Sequence, residues 1–143
     1  MYTIFKDIHH YIAMITLVFI LLFTVVAFIY YVQERTITAQ VKKISLITLA
    51  FTHTQVVAGI ILFFSSPIFH NTDMKDLMKI APIRRNYIEH PFSMIIVATL
   101  LTLINYRIKK SSRITVWNLA LAAISLAFAI GMVPRVFWST LIP

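Results

Sequence analysis

His10 and Met14 stand four residues apart, and so do His90 and Met94. On a helix that spacing puts each pair on one face. Imidazole with thioether is a donor set for copper, because thioethers favour Cu(I), whereas two imidazoles at one depth suit the axial positions of a haem. The candidate metal ligands are therefore His10, His90, Met14 and Met94. Arg84, Arg85 and Arg135 fall at the same rim, where guanidinium groups pair with haem propionates. The plain alternative is that interface histidines bond lipid headgroups and methionines simply pack. His9 and His70 are read in that plain way.

A further candidate is His53. It sits with Gln55 in the middle of residues 44–66, a stretch with no Asp, Glu, Lys or Arg. That stretch exceeds the roughly 20 apolar residues needed to cross a bilayer. A polar side chain at such depth is costly unless another helix or a cofactor receives it, so it is read either as a functional group or as interhelical glue. At 100° per residue, Ser45, Thr48, Thr52, Gln55, Gly59 and Ser66 form one small, polar stripe suited to close helix contact. Thr48, Thr52, Gln55 and Gly59 are the expected assembly face, toward another copy or a larger membrane complex. His53 falls on a different face, with Ala50, Val57, Ile60 and Phe64. It also lies about 17–20 Å deeper than His10 and His90, too far to share one metal with them.

These residues need membrane-spanning elements to hold them. Of the 143 residues 59% are hydrophobic and only 13% charged, with mean hydropathy +0.84. That is a membrane composition, and the lipid bilayer is the first partner it implies. The net charge of +8 does not point to nucleic acid, because the basic residues flank apolar segments. The absence of cysteine excludes disulfides, thiol catalysis, iron–sulfur clusters and thioether-linked haem. No activated nucleophile or carboxylate pair falls inside the apolar runs, which disfavours a hydrolase.

The pattern predicts an all-α, integral membrane four-helix bundle of up-down-up-down order, forming one domain over 1–143. The helices are expected near 9–33, 44–66, 89–107 and 114–134. Residues 1–8 read as a polar lead, without the features of a cleaved signal peptide. Asp73 is placed to cap a short helix over 73–80, with Met74, Leu77, Met78 and Ala81 on one side, suited to the interface plane. The span from 89 begins with Pro91 in its first turn and is the weakest by length. The turns holding Arg35, Lys42, Lys43 and Arg107, Lys109, Lys110, Arg113 are short and basic. This bias places both turns in the cytoplasm and both termini outside.

The segments IHHYIA at 8–13, HTQVVAGIILFFSSP at 53–67, IEHPFSM at 88–94 and GMVPRVFW at 131–138 together resemble the small four-helix membrane proteins of Bacteroidetes-type bacteria often labelled "cytochrome B". The resemblance spans nearly the whole chain. It implies a bacterial inner-membrane protein with a b-type haem and a role in electron transfer, with His9 or His10, His53 and His90 as ligands. The paired histidines that bracket two stacked haems in large respiratory cytochromes b are missing, so one haem per chain is the most it implies. Three functions follow: a haem- or copper-holding membrane protein, a non-catalytic accessory subunit, or a proton or metal transporter using His53 and Gln55. In none does the chain need catalytic activity of its own. For a haem, His10 and His90 are the expected axial pair.

Overall fold

The computed structural model describes residues 2–133. Four long helices carry the fold: α1 (Tyr2–Val32), α2 (Ala39–Phe64), α6 (His90–Lys110) and α7 (Val116–Gly131). Between α2 and α6 run three short ones, α3 (Pro67–Asn71), α4 (Met74–Lys79) and α5 (Ala81–Arg84), then a π-helical turn over Arg85–Glu89. The described residues form no strand; a single isolated bridge joins Thr36 to Arg113. The all-α expectation holds.

The long helices pack in a ring, α1 on α2, α2 on α6, α6 on α7 and α7 back on α1. Cross-helix hydrogen bonds fix their directions. Thr48 Oγ1 donates to Phe19 O (3.3 Å) and Thr16 Oγ1 to Phe51 O (3.4 Å), so α1 and α2 are antiparallel. Asn105 Nδ2 donates to Ser45 Oγ (3.0 Å), and Tyr87 meets Ser66 at the far end, so α2 and α6 are too. Arg107 Nε donates to Asn118 Oδ1 (3.0 Å) and Arg85 Nη2 to Gly131 O (2.7 Å). The last pair are therefore antiparallel as well, and the bundle runs up-down-up-down.

Three segments are long and apolar enough to cross a membrane, Tyr2–Val32, Ala39–Asn71 and Ala81–Lys110; α7, with 16 residues, is shorter. Large apolar side chains cover the outside, among them Val18, Leu21, Val25, Val57, Phe64 and Leu103. The inside combines Ile20, Phe23, Val97, Leu101 and Ile104 with small residues such as Ala27, Ala122 and Ser125. In lipid the hydrophobic effect gives helices little reason to associate. Small residues that let backbones approach, and buried hydroxyls, supply the cohesion.

Two helix starts differ from expectation. α1 already begins at Tyr2 instead of after a polar lead, because residues 2–8 contain no Gly or Pro and an existing helix extends at little cost. The third span is not short, since α5, the π turn and α6 run on as 30 residues. Pro91 lacks an N–H and crowds the carbonyl four residues back, so an ordinary α-turn there would be strained. The wider π turn over 85–89 accommodates it and carries the helix through. Among the short helices, α4 appears where expected. Asp73 stands at its N-cap without a side-chain capping bond, Leu77 is buried and Met74 and Met78 are exposed.

At the opposite end the two turns hold each other. Ile37 N donates to Ser112 O (2.7 Å), Thr38 caps α2 and Thr115 caps α7.

Candidate functional site

The stripe on α2 points into the bundle. Ser45, Thr48, Thr52 and Gln55 are all buried against the chain's own helices. Gly59 sits under His9, and a Cβ there would lie 3.2 Å from His9 Cε1. The stripe expected to meet another copy is thus spent inside the chain. Sequence periodicity groups these residues on one face but does not say whether that face turns inward or outward.

Following the stripe toward the α2 C-terminus leads to a cluster of histidines. Gln55 Nε2 lies 3.2 Å from His9 Nδ1 and 3.1 Å from His9 Nε2, within reach of either nitrogen as acceptor. His9 meets His90 edge to face, with ring centroids 6.2 Å apart. These rings come from diagonally opposed helices, so they meet across the bundle axis. His9, read from sequence as a headgroup contact, is instead an interior group. The signal was available: His9 lies seven residues before Thr16, on the face that continues through the buried Ile20, Phe23 and Ala27.

Beside these rings is a small cavity of about 60 Å³. His10, Met14, His90 and Met94, the four predicted metal ligands, all line it, together with Met132 and Gln55. The site thus gathers two imidazoles and three thioethers from α1, α6 and the end of α7, and α2 adds its amide. Gln55 is 2% exposed, and its Oε1 has no hydrogen-bond partner. As the side chain is oriented, a buried oxygen is unsatisfied on a residue that lines the cavity. Periodicity puts Met132, at the end of α7, on one face with Asn118, Ala122, Ser125 and Ala129, but nothing in its local sequence ties it to His90; the antiparallel α6–α7 packing does.

Arg84 and Arg85 are otherwise engaged. Arg84 Nε donates to Glu89 Oε1 (2.8 Å), and Arg85 bonds the Gly131 carbonyl at the C-terminus of α7, where a cation offsets the exposed carbonyl dipoles. Arg135 lies outside the described residues. His53 is elsewhere: it is exposed on α2, and its Nδ1 donates to Leu49 O at 2.9 Å. His70 Nε2 bonds Phe64 O at 2.8 Å.

The chain matches no family model, no curated protein and no solved structure.

The donor set can be tested against each expected group. A porphyrin needs a slot between its two ligands, and pockets for ligands of even drug size start at about 300 Å³. His9 and His90 are in edge contact, and the cavity beside them is far smaller than that. As the side chains stand, the cavity is smaller than a porphyrin needs, and of the arginines expected at its propionates Arg84 and Arg85 have partners in the chain. Among the described residues no group of three or more His, Cys, Asp or Glu comes together, so zinc-type ligation lacks its usual donors. What remains is a compact site of mixed imidazole and thioether character, sized for a single ion or a few waters.

Proposed function

We propose that this chain is a bacterial inner-membrane protein that holds a soft monovalent metal ion, Cu(I), at the histidine–methionine end of its bundle. The observation that carries the reading is the convergence of His10, Met14, His90, Met94 and Met132 on one cavity. Thioethers and neutral imidazoles suit Cu(I), and apolar side chains such as Leu17, Ile20 and Ala129 line the rest of the cavity. His10 and His90 supply nitrogen donors. Met14, Met94 and Met132 supply sulfur, and Gln55 offers an amide to a water or ligand beside the ion. The basic turns favour placing this end outside the cytoplasm.

The test is an anaerobic titration of the purified full chain in detergent with Cu(I), in competition with a chromophoric Cu(I) chelator. One Cu(I) per chain should be retained, and His90→Ala should weaken retention at least tenfold, as losses around metal sites do. Met94→Leu should weaken it less. Failure to retain Cu(I), or a Soret band in protein purified from haem-producing cells, overturns the reading. Cysteines placed at Lys42 and Lys110 should be labelled only from the cytoplasm and one at Lys79 only from outside; the reverse pattern would invert the orientation.

A further inference from the structure

The outward face of α2 has a regular order of its own. Leu46, Ala50, His53, Val57, Ile60 and Phe64 follow one another at alternating spacings of four and three, and all six are exposed. Alternating four-three spacing is the seam of a left-handed helix pair, in which each side chain enters a hole between four residues of the facing helix. His53 lies near the middle of this seam and near the middle of the helix. An ionisable group turned outward at that depth is expensive against lipid tails and calls for a partner.

The hydrogen bonds specify what the partner must offer. A carbonyl can only accept, so the bond from His53 Nδ1 to Leu49 O puts the ring proton on Nδ1. Nε2 of the neutral ring is then an acceptor, and no donor among the described residues reaches it. The neighbouring Thr54 is equally exposed. Thr16, Thr24, Thr48, Thr52, Thr99 and Thr102 all donate their hydroxyls to the carbonyl four residues back. The Thr54 hydroxyl makes no such bond. An acceptor and a donor, both unpaired within the described chain, therefore stand side by side in the bilayer.

A second copy meets both needs. Copies inserted in one orientation associate about an axis along the membrane normal, so each residue faces its own equivalent at equal depth. In a parallel seam of this spacing, His53 enters the hole formed by Ala50, His53, Thr54 and Val57 of the other copy. We infer that two copies of this chain pair through the Leu46–Phe64 face of α2, with the Thr54 hydroxyl of each donating to His53 Nε2 of the other. The twofold axis makes the two bonds equivalent. The buried stripe on the opposite face of α2 takes no part, and the inference is independent of the metal site.

Because the chain has no cysteine, single cysteines give a clean test in native membranes. Ala50→Cys and Val57→Cys, treated with a mild non-metal oxidant, should each yield a covalent dimer. Ile124→Cys, exposed at mid-depth on the diagonally opposite α7, should not. In detergent, Thr54→Val should raise the dimer dissociation constant about tenfold, roughly threefold for each of two equivalent membrane hydrogen bonds. His53→Leu should do the same, and the double variant should be no worse than either. Crosslinking at 50 and 57 no stronger than at 124, or a dissociation constant that neither substitution moves, overturns the pairing. Additive losses in the double variant would show that the two side chains do not bond each other, which overturns it as well.

Discussion

At the turn end of the bundle, Asn105 Nδ2 donates to Ser45 Oγ (3.0 Å), while Glu34 and Arg113 and the Ile37–Ser112 backbone bond tie the two connections together. At the other end, Gln55 meets His9, His9 meets His90, and one amide atom is left without a partner beside a cavity. Both ends bury polar groups in an apolar medium. At the turn end they pair across helix interfaces, which is what interhelical glue requires. The histidine end leaves Gln55 Oε1 without a partner on a residue lining the cavity, at the end that carries the long connection and the π turn ahead of His90. An unpaired buried polar atom costs stability, and in the proposed Cu(I) site it would bond a water or ligand beside the ion. The turn end has its own exception in Asn118, whose Nδ2 is also unpaired although Arg107 holds its oxygen. There, however, no cluster of histidine and methionine surrounds the orphan atom.

Four substitutions sharpen or break this contrast. The largest loss of stability should come from Gly59→Leu, because a bare Cβ already approaches His9 to 3.2 Å and a full side chain must displace the ring. Overpacking of this kind costs about 1–3 kcal/mol, read as a lower melting temperature in detergent, and should also weaken Cu(I) retention. Next, Asn105→Leu removes a satisfied interhelical pair and should cost about 0.6 kcal/mol, at most about 1.7 kcal/mol, by the same melt. Gln55→Leu makes a similar chemical change at the other end. It removes an orphan atom together with the bond, so its cost should be smaller than that of Asn105→Leu. A larger cost would mean that the histidine end is as fully paired as the turn end and would break the contrast. Glu34→Ala should act least. Its ion pair with Arg113 spans 3.4 Å between exposed side chains, and such pairs contribute a few tenths of a kcal/mol at about the lower bound.

The sequence by itself determined the helical class, because uncharged runs about 20 residues long leave the backbone few other ways to satisfy its hydrogen bonds in lipid. Short connections made α1 and α2, and α6 and α7, antiparallel, and periodicity placed Ser45, Thr48, Thr52 and Gln55 on one face and His53 on another. The four-residue spacing of His10–Met14 and His90–Met94 likewise put each pair on one side of its helix. Only the tertiary structure decided which faces turn inward. Periodicity fixes the angles between residues on one helix and leaves the rotation of that helix against its neighbours undetermined. That rotation made His9, rather than His10, the ring that reaches Gln55, and it turned the α2 stripe toward α1 and α6. The π turn ahead of Pro91 and the arrival of Met132 beside His90 depended on contacts between segments far apart in the chain. No local pattern encodes such contacts, because they come from packing that all four helices must satisfy together.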